Sequence, residues 1–143
     1  MFTGEYYHTL DSKGRVIIPS RLREGLGERF MLARGLDQCI FVYPMSGFAT
    51  LHQDLKRHAI TNNDTRVVSR VLFAGAMEVE ADKQGRVLIP QNLREHANIE
   101  KDLVIIGVSD RVEIWNDTAW RNYLSGAKSK YEIFAENMDS TKL

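Results

Sequence analysis

The chain spells nearly the same fourteen residues twice, and this internal repeat restricts its fold more than any other feature. The copies read DSKGRVIIPSRLRE from Asp11 and DKQGRVLIPQNLRE from Asp82, with nine of the fourteen positions identical. Their offset of 71 residues divides the 143-residue chain almost evenly. Because each unit alone is too short to bury much apolar surface, two units that share one core are expected. The absence of a Gly/Ser-rich or Pro-rich linker between them favours the same conclusion.

Each copy predicts a turn between two strands, followed by a short helix. Gly14 and Gly85 suit the turns, because glycine adopts positive φ without a Cβ clash. The aspartates three residues earlier, Asp11 and Asp82, are placed to accept hydrogen bonds from turn amides. The segments RVIIP and RVLIP then read as β-branched strands that end at proline, which lacks the N–H needed to extend a ladder. Proline also suits the first turn of the helix that follows.

The remaining segments complete two similar units with helices between and after them. We predict repeat one over residues 5–47 and repeat two over residues 76–119, packed as one joint structural domain. Connecting helices are predicted over residues 48–75, with a C-terminal helix and tail over residues 120–143.

Composition and motif searches favour a non-enzymatic intracellular protein. No apolar run is long enough to cross a bilayer, and the opening MFTGEYYHTLDSKGR lacks the basic and apolar regions of a secretory signal. The single cysteine, Cys39, excludes an intrachain disulfide and is expected to be a buried small hydrophobe. The four histidines lack metal-binding spacing, and no phosphate-binding glycine loop is present. We therefore expect no catalytic site, no metal and no cofactor.

Net charge is zero, but the charges are distributed unevenly. Residues 1–72 contain ten Lys/Arg and seven Asp/Glu, whereas residues 73–143 contain nine and twelve. A local excess of cations can attract a polyanion even when the whole chain is neutral.

A shared core explains the repeated apolar residues and prolines, but it does not explain the repeated charges at the turn. Arg15 and Arg86 follow the turn glycines, and Lys13 and Lys83 lie within the turns. One interpretation is an Asp–Arg ion pair that stabilises each hairpin. The other is ligand binding, since the arginine N–H donors suit phosphate oxygens or guanine O6 and N7. The two combine if the aspartate orients the arginine that binds.

The pattern G-R-V-x-I-P-x-x-L-R-E resembles the AbrB/SpoVT swapped-hairpin family of bacterial DNA-binding modules. Two tandem copies in a chain of this length, opening with MFTGEYYHTLDSKGR, are similar to the MraZ family of transcriptional regulators. The resemblance covers essentially the whole chain. It implies an α+β fold, namely a pseudo-two-fold swapped-hairpin β-barrel of two tandem repeats with flanking helices.

The resemblance also implies a function. It implies a cytoplasmic, nucleoid-associated regulator that binds double-stranded DNA at its own promoter, represses the division and cell-wall gene cluster, and assembles into a homo-oligomeric ring. The implied DNA-binding residues are Lys13, Arg15, Lys83 and Arg86, and the turn-orienting residues are Asp11, Gly14, Asp82 and Gly85.

The zero net charge of the subunit agrees with assembly into an oligomer. A neutral subunit with few phosphate contacts should bind weakly near physiological salt, because each contact adds only roughly 0.9 to the log–log salt slope. A ring would favour a promoter with short direct repeats spaced by about one helical turn, roughly 10 bp. The alternative function is a ring-forming protein-interaction scaffold without direct DNA readout.

Overall fold

A computed structural model describes residues 1–138, which form an α+β fold. The strands are β1 (Glu5–Thr9), β2 (Arg15–Ile17), β3 (Arg29–Arg34), β4 (Ile40–Pro44), β5 (Met77–Glu80), β6 (Arg86–Leu88), β7 (Asp102–Val108) and β8 (Arg111–Asn116). The helices are α1 (Ser20–Leu26), α2 (Met45–Lys56), α3 (Asn63–Ala74), α4 (Gln91–His96) and α5 (Asp117–Asn137). The last five residues of the predicted C-terminal tail lie outside the described residues.

Local sequence signals account for where the helices begin. Pro19 and Pro90 immediately precede α1 and α4, and each fixes the backbone just before a helical turn. The side chain of Asn62 accepts a hydrogen bond from the Asp64 amide at 2.8 Å and caps α3. The side chain of Asn116 caps α5 in the same way.

The large sheet mixes strands of the two repeats. It is antiparallel, with six strands in the order β1-β7-β8-β4-β3-β5. Strand β1 of repeat one pairs with β7 of repeat two, and β5 of repeat two pairs with β3 of repeat one. Each repeat therefore completes its sheet with the first strand of the other, and neither can form this sheet alone.

Strands β2 and β6 form a separate two-stranded antiparallel ribbon, which we call the β2–β6 ribbon. Val16 lies opposite Val87 at its centre, and both side chains are buried. The flanking pairs join Arg15 to Leu88 and Ile17 to Arg86. Because side chains alternate along a strand, these four side chains lie on the opposite face of the ribbon from the two valines.

The α+β class and the tandem repeats are confirmed, but the described strands do not form a closed barrel, so the pseudo-two-fold swapped-hairpin β-barrel stays a prediction. The six-stranded sheet is open, with β1 and β5 as its edges. The physical reason is that the sharp turns after these strands redirect the chain, so that β2 and β6 satisfy their backbone groups with each other.

One main core joins equivalent residues of both repeats. Ile18 and Ile89 are fully buried, as are Leu22 and Leu93 of the two short helices, and all four belong to one apolar cluster. A smaller cluster beside α5 contains Cys39, with Trp115 and Trp120. Cys39 is buried, as predicted, and burial raises the pKa of its thiol.

Candidate nucleic-acid interface

The turn of repeat one is organised by the carboxylate of Asp11. Its Oδ1 accepts hydrogen bonds from the backbone amides of Lys13 and Arg15, both at 2.9 Å. Its Oδ2 accepts from the Arg15 side chain, with an Nε–Oδ2 distance of 2.7 Å. Gly14 has φ of 79°, as predicted for the turn glycine. Asp11 therefore fixes both the backbone of the turn and the direction of the arginine.

Repeat two builds the same turn with the same bonds. Asp82 Oδ1 accepts from the amides of Gln84 and Arg86 at 2.9 Å, and Oδ2 accepts from Arg86 Nε at 2.7 Å. Gly85 has φ of 80°. The turns differ in the position of the lysine: Lys13 directly precedes the turn glycine of repeat one, whereas Lys83 lies two residues before that of repeat two. Both lysine side chains are exposed. The orienting bonds are therefore duplicated, while the placement of the lysines is not.

Both turn carboxyls favour the ionised form. The pKa of Asp11 is lowered chiefly by the hydrogen bond from the Arg15 backbone amide, with the Arg15 side chain and the Lys13 amide adding to the effect. Partial desolvation opposes this shift. The pKa of Asp82 is lowered in the same way, chiefly by the Arg86 amide. Each carboxylate is therefore charged near neutral pH and holds its arginine by an ion pair.

The arginines keep donors free for a ligand. The Arg15 and Arg86 side chains are 28% and 31% exposed, although each binds an aspartate through Nε. Within residues 1–138, the terminal Nη groups of these two arginines form no hydrogen bond, so they remain available.

The two arginines lie on one face of the β2–β6 ribbon. They occupy a diagonal of the ladder, because Arg15 is opposite Leu88 and Arg86 is two residues from Leu88 along β6. The Cβ atoms of such diagonal neighbours lie about 7–8 Å apart. Ile17 and Leu88 complete the face and are themselves about half exposed. The result is an exposed ribbon face with two oriented arginines and an apolar contact surface between them.

Two further arginines, Arg23 and Arg94, lie at the turns but were not predicted as site residues. Arg94 of repeat two lies against Gly14 of repeat one: its Cζ is 3.3 Å from the position that a Cβ on Gly14 would occupy. Arg23 of repeat one lies still closer to Gly85, with a corresponding distance of 2.8 Å. The repeated L-R-E of the motif is a signal for these residues, but the sequence does not say that each meets the turn of the other repeat.

Residues 1–138 contain no group of three or more His, Cys, Asp or Glu side chains placed to hold a metal ion. None of the helices among these residues has both the length and the apolar character needed to span a membrane.

Comparisons with known proteins identify the family. The model of the family described as MraZ protein, antitoxin-like, matches the chain twice, over residues 1–71 and 72–140. The chain belongs to the MraZ family. The transcriptional regulator MraZ of Carboxydothermus hydrogenoformans is 52% identical to it over 138 residues, and the alignment covers 96% of each chain. That of Acetivibrio thermocellus is 54% identical over 138 residues, again with 96% of each chain covered. That of Thermoanaerobacter sp. is 50% identical over 143 residues, with both chains covered completely.

These findings confirm the resemblance to the MraZ family and the predicted class of protein, a transcriptional regulator. Two matches to one family model, placed end to end, correspond to the two copies of the repeated motif. The relatives are named as transcriptional regulators, in agreement with the regulatory function predicted for this MraZ-family chain.

Proposed function

We propose that the chain is a sequence-specific regulator that binds double-stranded DNA through the exposed face of the β2–β6 ribbon. Its sites would be short direct repeats in the promoter of its own gene and of the division and cell-wall cluster, which it would repress. It would act in the cytoplasm on the nucleoid, without a catalytic role or a cofactor. Residues 5–47 and 76–119 would be its two functional units, joined by exchanged strands in the manner of a swapped hairpin.

The ribbon face is the observation that carries this proposal. The major groove of B-DNA admits a two-stranded β-ribbon, and arginine is the side chain that most often reads guanine there. The side chains of Arg15 and Arg86 are each oriented by an aspartate. Within residues 1–138, their Nη groups donate no hydrogen bond. Such preorientation reduces the entropy that each arginine loses on binding. A bidentate contact with guanine would discriminate against other bases by about 1–3 kcal/mol.

The other cations of the site would contact phosphates. Lys13 and Lys83 are exposed at the tips of the turns, where flexible ammonium groups suit the DNA backbone. The interface would thus combine base readout by the ribbon with phosphate contacts at its two ends. Only a few phosphates would be neutralised by one subunit, so useful affinity would need several subunits on one duplex.

We further propose that subunits assemble head to tail into a ring. Two exposed apolar surfaces support this assembly. The first is a groove of about 350 Å³ between α2 and α3, near the end of β3. It is lined mainly by Leu36, Leu51, Leu55, Val67, Val68 and Val71.

The second surface is the end of α5. Every side chain from Lys128 to Phe134 is exposed, so this part of the helix projects from the fold. Tyr131 and Phe134 lie about one helical turn apart and form an apolar stripe on one face, and the exposed Met138 follows just beyond the end of α5. Both the stripe and the groove are exposed in one subunit, so the two surfaces do not pack against each other within the same chain.

We propose the α5 end of a second copy as the occupant of the groove, because both surfaces are apolar and both are exposed in one subunit. A contact between two different surfaces of one chain is heterologous, and such contacts generate rings when the rotation closes.

The DNA-binding proposal is tested by Arg15→Ala and Arg86→Ala, each measured by gel shift on the duplex upstream of the gene and by analytical ultracentrifugation. Each variant should lose about tenfold or more in specific binding, the equivalent of at least 1.4 kcal/mol, while assembly is unchanged. Arg57→Ala, which removes an exposed arginine on the C-terminal side of α2, is the matched control and should bind normally.

The scaffold alternative predicts a different result. If both ribbon variants bind the upstream duplex as the unaltered protein does, or if that duplex binds no better than random DNA at moderate salt, the ribbon is not a DNA reader. Intact assembly in that case would favour the protein-interaction scaffold.

A further inference from the structure

The second repeated arginine has a bonding pattern that links the two turns. Arg23 and Arg94 occupy equivalent positions in α1 and α4, and both are partly buried. Arg23 Nε donates to the carbonyl oxygen of Ile18 at 2.9 Å, and Arg94 Nε donates to that of Ile89 at 3.1 Å. Each arginine therefore holds a peptide at the end of the ribbon strand in its own repeat.

The amide of the same isoleucine, which belongs to the preceding peptide group, bonds the turn of the other repeat. The amide of Ile18 donates to the carbonyl oxygen of Gly85 at 2.9 Å, and the amide of Ile89 donates to that of Gly14 at 3.0 Å. The two glycines immediately precede Arg86 and Arg15. The bonds thus run from each arginine, through the carbonyl and the amide of one isoleucine, to the turn that orients the proposed base-reading arginine of the opposite repeat.

The guanidinium groups contact the same turns directly. Arg23 Cζ, Nε and Nη1 all lie within 3.0 Å of the position of a Cβ on Gly85, so this face of the glycine is covered by the Arg23 side chain. Arg23 and Lys83 also line one shallow depression, which places the arginine of repeat one beside the turn lysine of repeat two. Arg94 covers Gly14 in the mirrored arrangement.

We infer that Arg23 and Arg94 are crossed positioning residues: each sets the conformation of the opposite turn, so that Arg23 controls Arg86 and Arg94 controls Arg15. Each arginine is linked to the opposite turn in two ways: its guanidinium contacts the turn glycine, and its hydrogen bond leads through an isoleucine to the same glycine. Both links occur once in each repeat. The arrangement makes the two halves of the ribbon face mutually dependent, which would keep their spacing fixed on the duplex. The inference about the turns stands on the protein alone, and its consequence for DNA rests on the proposed function.

The first test needs no DNA. In Arg23→Ala, hydrogen exchange followed by NMR should be faster at the amides of Gln84, Gly85 and Arg86 by roughly fivefold, the effect expected when one hydrogen bond of about 1 kcal/mol is lost. The amides of Lys13, Gly14 and Arg15 should change by less than about twofold. Arg94→Ala should give the mirrored pattern, with faster exchange in the turn of repeat one.

Arg21→Ala is the matched control. Arg21 lies in the same helix as Arg23 and is exposed, and it forms no ion pair or side-chain hydrogen bond in the described part of the chain. Its removal deletes the same charge and should leave both turns unchanged. Equal acceleration in the two turns of Arg23→Ala would show a general loss of core stability, and acceleration confined to the turn of repeat one would reverse the assignment. Either outcome overturns the crossed arrangement.

Should Arg23→Ala fail to fold, Arg23→Lys keeps the charge and most of the aliphatic stem but lacks the planar guanidinium. The lysine variant should still accelerate exchange selectively at Gly85 and Arg86. A folded lysine variant with unchanged exchange at both residues would also overturn the inference.

The second test uses the duplex from upstream of the gene. Arg23→Ala should weaken specific binding about fivefold in the unaltered background and in Arg15→Ala, but by less than about twofold in Arg86→Ala, because the group that it positions is already gone. Equal losses in both backgrounds would contradict the coupling. If no variant affects DNA binding while the exchange pattern is as expected, the proposed function fails and the crossed positioning stands.

Discussion

At the scale of single residues, one carboxylate organises each turn by accepting hydrogen bonds from three nitrogen atoms of its neighbours. The bonds at Asp11 and Asp82 are equal in kind and nearly equal in length, although the residues between the aspartate and the glycine differ. This agreement indicates that the D-x-x-G-R pattern, rather than the particular turn side chains, determines the conformation. It also explains why the ion-pair and ligand-binding interpretations of the arginine are compatible.

The ordering of the contributions to the Asp11 pKa gives a prediction. Because the Arg15 backbone amide is the largest cause of the lowered pKa, Arg15→Ala should leave the Asp11 pKa below its usual 3.8, though higher than in the unaltered protein. A carbon-detected NMR titration of the carboxyl group measures both values. Asp82 serves as the internal control, since its own arginine is intact. A return of the Asp11 pKa to its usual value would show that the side chain, not the backbone, dominates.

The same shift determines how pH acts on stability. A carboxyl with a lowered pKa in the folded state contributes stability that is fully present above its unfolded pKa, near 3.8. That contribution is lost as the pH falls through the lower, folded pKa. The turns should therefore retain their aspartate bonds throughout the neutral range and loosen only in strong acid.

At the scale of elements, the β2–β6 ribbon is short and depends on the core beneath it. Only three residues of each strand are paired, so backbone bonds contribute little stability by themselves. The buried side chains of Val16, Ile18, Val87 and Ile89 fix the ribbon to the rest of the fold. The proposed DNA-binding surface is thus supported by a core that both repeats supply.

Neighbouring isoleucines test this dependence. Ile18 is completely buried, whereas Ile17 is 48% exposed on the ribbon face. Ile18→Ala should lower the free energy of unfolding by about 2–5 kcal/mol, while Ile17→Ala should change it by less than about 1 kcal/mol. Urea unfolding monitored by tryptophan fluorescence and by circular dichroism measures both. The two probes should give one coincident transition, because the repeats share a core. Separate transitions for the two halves would contradict the exchanged sheet.

The sequence predicted these elements better than it predicted their partners. Gly14, Pro19 and their counterparts mark a turn and a helix start by local chemistry, so the turn, strand and helix were predictable from one copy of the motif. Pairing was not predictable in the same way, because similar strands in two repeats can pair within a repeat or between repeats. The swapped-hairpin β-barrel depends on this step, and the described strands do not close into a barrel. The contacts of Arg23 and Arg94 with the opposite turns were missed for the same reason.

At the scale of the whole molecule, zero net charge conceals an organised surface. Cations gather at the turns of the ribbon, whereas residues 73–143 carry an excess of acidic residues. In the proposed function, a single subunit would combine a weak DNA-binding face with two unlike surfaces for self-association. Weak binding by one copy would be useful in this arrangement, since the affinity would then depend on how many copies lie side by side.

The head-to-tail assembly is tested by damaging its two surfaces separately. Val68→Glu places a charge in the groove, and Phe134→Glu places one on the α5 stripe; both side chains are exposed in the subunit, so neither change should unfold it. Each variant should sediment as a monomer, because every contact in a ring uses both surfaces. Ile60→Glu, in the loop between α2 and α3 and outside the groove lining, is the control and should assemble normally.

Mixing the two variants tests whether the groove and the stripe contact each other. Val68→Glu subunits retain an intact helix end, and Phe134→Glu subunits retain an intact groove, so an equimolar mixture should form dimers through one undamaged contact and nothing larger. An isologous groove-to-stripe dimer would give the same mixed dimer, but its unaltered protein would stop at two subunits, whereas a head-to-tail ring contains more. The DNA-binding salt slope should be lower for each separate variant than for the assembled protein, since fewer phosphates are neutralised per binding event. Rings that persist in both variants would place the subunit contact elsewhere on the fold.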